Sequence, residues 1–475
     1  MPSYDEDLRR RQERREAIRR KKEAEAKRMR RMLILAVAVL CLCVWGVYSL
    51  VQKNAGEAPV KPVETEPQVV ATESASPIFQ DPITTIHVRA AGDLNVTDSV
   101  VNSGVTAVGY DYTAAFRDVA ADLSEADLTV LNFEGNIFGE PYGSETTSAP
   151  AELLRSLRNA GVDMLQMANS CAVNNGLNGL NTTLQAIRNA GLEPLGAYAN
   201  ESELRAGKGY TITEVRGIRV AFVAFTKGLG GRGMPAGNEQ LVNLLYTDYA
   251  TEYRNIDRDR ITSILKAVES ERPDITIALL HWGSEYNDDI SNSQESMISL
   301  MQKQGVDAII GTHPHTVQPI TYDQNTGAFV AYSLGDFFGD AERGGTNYSI
   351  ILDLEITKDT TTGITKVTNY SYIPIYTVKT SDSEGDYSYS RVMRINEAIT
   401  AYNGNFLDRV NTSCKESMDY SLTRIKDRLI KKEKDQNGKE ITPTTEAAEE
   451  TTEETTIATS ETGASATTTA PTQTQ

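Results

Sequence analysis

Between residues 83 and 334, short runs of aliphatic and β-branched side chains alternate with segments whose apolar positions recur at helical spacing. This is the pattern of a βα protein with buried strands. The runs at 83–91, 128–132, 163–168, 218–226, 275–280, 306–310 and 328–334 predict strands, and 113–123, 151–160, 180–190, 260–270 and 295–304 predict helices. Two of these helices end in the same signal, Arg158-Asn159-Ala160-Gly161 and Arg188-Asn189-Ala190-Gly191, where glycine can take the left-handed conformation before the next strand. The likeness covers a few residues and does not recur a third time, so it reads as repeated helix-to-strand chemistry and not as a solenoid. Past about Tyr387 the pattern turns helical, with 391–402 and 406–429 as candidates that pack on the domain or extend it.

The flanks read differently. Residues 32–51 are twenty positions without a charge, which at the helical rise just spans a hydrocarbon core of ~30 Å. Lys27, Arg28, Arg30 and Arg31 abut that stretch, and the far side soon turns acidic, so a single-pass helix is expected at the cell membrane with its N-terminus cytoplasmic and the main domain extracytoplasmic. A basic region of this length without a small-x-small cleavage site argues against a cleaved signal peptide. Residues 52–82, rich in Pro, Glu, Val, Thr and Ser, read as a tether, and the Thr/Glu-rich tail at 436–475 as disordered. The expected organisation is therefore a basic cytoplasmic segment (1–31), the span (32–51), a linker (52–82), one large α/β domain (83–380), a helical extension (381–435) and the tail.

The formal net charge of -18 argues against nucleic acid as a partner, because an acidic surface repels phosphate. Residues 1–31 run against that trend with a local excess of six positive charges, which suits contact with anionic membrane lipid or simply enforces topology. Cys41 and Cys43 fall in the apolar span, leaving Cys171 and Cys414. This is no disulfide scaffold, although one bridge between those two stays open.

Candidate chemistry collects where the apolar runs end. The successive ends are Gly92-Asp93-Leu94-Asn95, Asn132-Phe133-Glu134-Gly135, Asn169-Ser170-Cys171, His281-Trp282-Gly283-Ser284-Glu285-Tyr286, Gly311-Thr312-His313-Pro314-His315 and Ser333-Leu334-Gly335-Asp336. In open α/β sheets the carboxyl ends of the strands form the ligand crevice, so groups scattered along the chain can converge there. Asn132 and Glu134 stand two apart, as do His313 and His315, a spacing that in extended chain points both side chains to one side. Three of the four histidines fall in these clusters, and His87, inside the first run, reads as structural. Imidazoles mixed with carboxylate oxygens suit Mn, Zn or Fe better than calcium. Such a divalent transition metal could polarise a phosphoryl or carbonyl oxygen.

With these residues assembled, the stretch 83–375 resembles the CapA family of poly-γ-glutamate capsule biosynthesis proteins, whose fold looks like that of the calcineurin-like metallophosphoesterases. The matching segments are 91–94, 131–135, 281–286, 311–318 (which adds Gln318) and 332–335. The resemblance implies an α/β fold, a layered β sandwich flanked by helices. It also implies a role in synthesis, export or anchoring of an anionic surface polymer, through metal-dependent hydrolysis or, alternatively, as a catalytically degenerate polymer-binding subunit beside a membrane synthase. On that basis Asp93, Glu134, His281, His313 and His315 are expected to hold metal. Asn169, His281 and Glu285 are expected to act in catalysis, Asn169 by orienting substrate, and Asn132, Cys171, Asp336 and Gln318 to bind ligand. Two positions depart from the family pattern: Cys171 stands where it usually has His, next to Ser170 in place of Asn, and Asp336 stands where it usually has Asn. A thiolate there could ligate a soft metal, or an acid/base group is lost.

Overall fold

The protein is described here by a computed structural model, which covers residues 82–381, 388–404, 412–431, 433–434 and 440–441. The chain divides into two units, Met1–Ile78 and Phe79–Gln475, and every described residue belongs to the second. Among the described residues two large sheets carry the fold. In chain order the strands are β1 (Ile83–Asn95), β2 (Leu128–Glu134), β3 (Met164–Gln166), β4 (Glu193–Leu195), β5 (Thr211–Val215), β6 (Ile218–Thr226) and β7 (Ile275–His281). They continue with β8 (Ala308–Thr312), β9 (Ile320–Tyr322), β10 (Phe329–Ala331), β11 (Asp336–Phe338), β12 (Tyr348–Asp359), β13 (Ile364–Ser381) and β14 (Ser388–Arg394). The longer helices are α1 (Glu152–Asn159), α2 (Gly176–Asn189), α3 (Arg258–Ser270), α4 (Asn292–Lys303), α5 (Ile395–Asn403) and α6 (Thr412–Leu429).

The first sheet runs β14-β13-β12-β1-β2-β3-β4, with β11 pairing the end of β1. Its β1–β4 half is parallel and its β12–β14 half antiparallel. The second sheet runs β9-β10-β8-β7-β6-β5, parallel through β6, β7, β8 and β10.

Alternation along the strands shows how the layers stack. On β6, Val220, Phe222 and Ala224 join the core that the second sheet shares with the first. The intervening Ala221, Val223 and Phe225 join a separate core with Ile261, Leu265 and Val268 of α3 and Met297 and Met301 of α4. A period of two thus buries both faces of one strand against different layers. Leu153, Leu154 and Leu157 of α1 and Leu180, Leu184 and Ile187 of α2 complete the first core. The result is the expected layered sandwich with flanking helices. Gly161 and Gly191 take φ of 106° and 78° after α1 and α2, as their shared signal requires.

The expected membrane anchor is not found among the described residues. Among the described residues no helix is long and apolar enough to cross a membrane. The longest, α6, carries Lys415, Glu416, Asp419, Arg424, Lys426, Asp427 and Arg428 along its eighteen residues, charges that a hydrocarbon core excludes. Residues 32–51 lie outside the described residues, as do the basic segment 1–31 with its lipid contact and nearly all of the linker. The described fold is the α/β sandwich alone, and the single-pass localisation and extracytoplasmic placement, which rested on that span, are not carried further.

Other differences are local. The helix expected at 113–123 is two short pieces, Thr113–Phe116 and Ala120–Ser124. Within the expected helical extension, Ser388–Arg394 is an edge strand paired with β13, and α5 begins only at Ile395. Within the expected tail, Glu440–Ile441 pairs with Glu433–Lys434. No disulfide joins Cys171 and Cys414.

Candidate metal centre

The six polar strand ends meet. β1 is bulged between Ala91 and Asp93 against β2, which turns the Asp93 side chain toward the strand ends. The bulge is tight, because Gly92 lies against the carbonyl of Gly335 where a Cβ would collide, and the Asp93 N–H donates to that same oxygen at 3.0 Å. Asp93 consequently sits level with Asp336 of β11 on one side and Asn132 of β2 on the other.

The Asp93 carboxylate accepts from Asn132 Nδ2 at 2.5 Å and from the His313 N–H at 3.0 Å. His281, last residue of β7, brings Nε2 to 3.7 Å from Glu134 Oε1 and Nδ1 to 4.0 Å from Asp93 Oδ1. Its Nδ1 also lies 3.2 Å from the Thr312 hydroxyl. Glu134 is held by a 2.7 Å hydrogen bond from Ser170. His315 Nδ1 lies 2.7 Å from Asp336 Oδ1 and 3.7 Å from Asp93 Oδ2, and Asn95 donates to Asp336 at 2.9 Å. The His281 and His313 ring centres are 4.5 Å apart. All of these ligating groups are buried.

Three overlapping groups place their ligand atoms within 4.8 Å of one another: Asp93, Glu134 and His281; Asp93, His315 and Asp336; and Glu285, His313 and His315. These clusters are of the kind that holds a metal ion. Two buried imidazole nitrogens, His281 Nε2 and His313 Nδ1, have no hydrogen-bond partner, and orphaned groups of that kind are rare in folded proteins. Burial, then the neighbouring His313, His315 and Lys227, holds His281 well below its usual range. Burial and then Lys227 and His315 do the same for His313. Both are therefore neutral, the form that ligates. Burial opposes charge on His315 too, but Asp336 with Glu134 and Asp93 outweighs it and holds that imidazole well above its usual range. Glu134 is pushed up to about 8 by burial and then by Asp93, the response of a carboxylate in a crowded acidic site.

The remaining expected residues are placed as follows. Asn169 donates to Asn132 Oδ1, Phe133 O and Gln166 O and accepts from the Cys171 N–H, so both ends of its amide are used within the chain. It braces Asn132 and presents no free group to orient a substrate. Gln318 is likewise engaged within the chain, tying Asn287 O at 2.8 Å and Gln294 Nε2 at 3.1 Å, which fixes the loop after β7. Cys171 Sγ lies 3.9 Å from Glu134 Oε2 but belongs to none of the three clusters. Burial, then Glu134, pushes its thiol up to about 12, which disfavours the thiolate. Glu285 is exposed at the rim. Trp282 donates to Tyr332 O at 2.8 Å inside the outer core and is structural, and His87 pairs with Asp353 at 3.1 Å away from the site.

Sequence reasoning missed Lys227. It follows β6, the one of the seven predicted runs whose end, Thr226-Lys227-Gly228, was not read for polar groups.

Residues 87–341 match the bacterial capsule synthesis protein family PGA_cap. The chain belongs to that family. The chain is 26% identical over 332 residues to the capsule biosynthesis protein CapA of Bacillus anthracis, covering 68% of this chain and 71% of that one. It is 27% identical over 210 residues to the PGA biosynthesis protein CapA of Bacillus subtilis (strain 168), covering 44% of this chain and 51% of that one, so it spans about half the length of that relative. Among solved structures it is similar to the calcineurin-like phosphoesterase YfkN from Bacillus subtilis, at 18% identity and a TM-score of 0.37, covering 73% of this chain and 98% of that one. No residue role is carried across from that likeness.

Proposed function

We propose that this PGA_cap protein acts in making an anionic surface polymer of the poly-γ-glutamate type, and that its part is performed at a divalent-metal site. What supports the reading most is the pair of buried, neutral imidazoles with unpartnered nitrogens beside Asp93 and Glu134. Leaving such a group unsatisfied costs about 1–3 kcal/mol, and a cation offsets it. Asp93, Glu134 and His281 would hold one ion, and Asp93, His315 and Asp336 a second, with His315 giving up its proton to the solvent on binding. Mixed nitrogen and oxygen donors suit Mn, Zn or Fe. A divalent ion in that setting supplies Lewis-acid polarisation of a phosphoryl or carbonyl oxygen. The chain's own groups do the rest: Asn132, Thr312 and Ser170 hold the ligands in register, and the surrounding core excludes water from behind them.

The test is the metal content of the full chain purified without chelator. Stoichiometric Mn, Zn or Fe is expected, with loss in Asp93→Asn and His281→Ala. Protein that carries no transition metal and takes none up on titration would defeat the reading.

A second reading is favoured by Cys171, whose thiol, pushed up to about 12, offers neither an acid/base imidazole nor a thiolate at neutral pH. In that reading the domain binds polymer next to synthase subunits without turning it over. Hydrolysis of a generic phosphodiester by metal-loaded protein separates the two.

A further inference from the structure

Thr226 lies level with His281 across the β6–β7 pair, and the next residue, Lys227, donates its backbone N–H to His281 O at 2.8 Å. That register delivers the lysine side chain to the imidazole cluster. Its Nζ donates to Gly283 O at 2.6 Å and lies 4.7 Å from the centre of the Tyr253 ring. The ammonium is half-buried, and among the described residues it makes no ion pair.

At the other end of the same loop the Arg343 guanidinium lies 4.0 Å from the centre of the Tyr286 ring. That ring stacks on His315 with centres 5.2 Å apart, and Arg343 too makes no ion pair among the described residues. The Tyr286 N–H donates to Pro314 O at 2.8 Å, so the loop is closed onto the segment that carries both histidines. Two cations are thus docked at either end of residues 283–286, one on a carbonyl oxygen and one on an aromatic face. Neither support neutralises a charge; the carboxylate that acts on Lys227, the exposed Glu285, forms no ion pair with it, so the partly desolvated ammonium gains from an anion that joins it.

We propose that Lys227 and Arg343 form an anion subsite at the mouth of the metal cluster, taking the carboxylate or phosphate oxygens of the substrate. The proposal rests on the metal-site reading above. Lys227 acts as a point charge, and Arg343 adds a planar fork that matches a carboxylate or phosphate edge. The chemistry is shared by a γ-linked glutamate chain, which offers carboxylates, and by a phosphorylated group.

The experiment uses the full chain loaded with Mn²⁺ and two probes, inorganic phosphate and a short γ-linked glutamate oligomer, with binding followed by calorimetry and Mn²⁺ occupancy measured in parallel. Lys227→Met and Arg343→Gln are each expected to weaken at least one probe by ~10-fold or more, the scale of one charge-assisted hydrogen bond, with Mn²⁺ occupancy unchanged. Lys227→Arg is expected to recover most of the loss. The probe that weakens names the source of the anion. Unchanged affinity for both probes, binding of neither by the parent protein, or loss of Mn²⁺ in Lys227→Met overturns the subsite while leaving the metal centre standing. A parent protein that takes up no Mn²⁺ removes the metal reading and the subsite with it.

Discussion

His313 and His315 have φ of 91° and 59°, a region that side-chain-bearing residues enter rarely and at a cost of roughly 1–3 kcal/mol each. Two local bonds hold them there, the His313 N–H to Asp93 and the Tyr286 N–H to Pro314. Their spacing in sequence suggests an extended pair pointing one way; in the fold both take a left-handed backbone instead, and both still reach one cluster with Glu285. At the same scale Cys171 looks in sequence like a replacement ligand, but burial and the adjacent Glu134 push its thiol up to about 12. The thiolate, which is the reactive form, is disfavoured on that basis. Cys171 is therefore expected to alkylate with iodoacetamide far more slowly than a free thiol does, which peptide mass spectrometry over a time course reads directly. Labelling at the rate of a model thiol would show that the site does not suppress ionisation.

Among the secondary-structure elements, strands that alternate two faces between two cores were readable, and so were the helices that cover them. Helix starts were read less well. α4 begins at Asn292 and not at the expected 295 because Ser291 and Gln294 form a capping box, each side chain bonded to the other's backbone N–H. That Ser-x-x-Gln signal stood in the sequence unread. Ser291→Ala is expected to lower stability by ~1 kcal/mol, seen as a lower denaturant midpoint with an unchanged slope; an unchanged midpoint would show that the cap contributes nothing here. The strands β12 to β14 also escaped, although Ile350, Leu352, Leu354 and Ile356 alternate toward the core. They carry no site residue, and their last member runs straight into α5, so the helical pattern past Tyr387 masked it.

For the molecule as a whole, the centre draws Asp93, Glu134 and Asp336 from one sheet and His281 and the two loop histidines from the other. A metal ion would therefore tie the two sheets and stabilise the domain against global unfolding. Mn²⁺ at 100 times its Kd is expected to add ~2.7 kcal/mol and to raise Tm by about a few degrees. The gain should vanish in Asp93→Asn; no shift in the parent chain, or the same shift in the variant, would place the ion elsewhere. The sequence by itself determined the strand and helix periods, the glycine caps and the chemistry at each strand end, because those are set by neighbours within a few residues. Whether a given polar group faces the centre was decided only by the fold. Asn169 and Gln318 turned inward to brace other residues, and Lys227, unremarked in its own segment, was carried to the imidazoles by the register of β6 against β7. Register and side-chain satisfaction depend on partners far apart in the chain, and no local pattern encodes them.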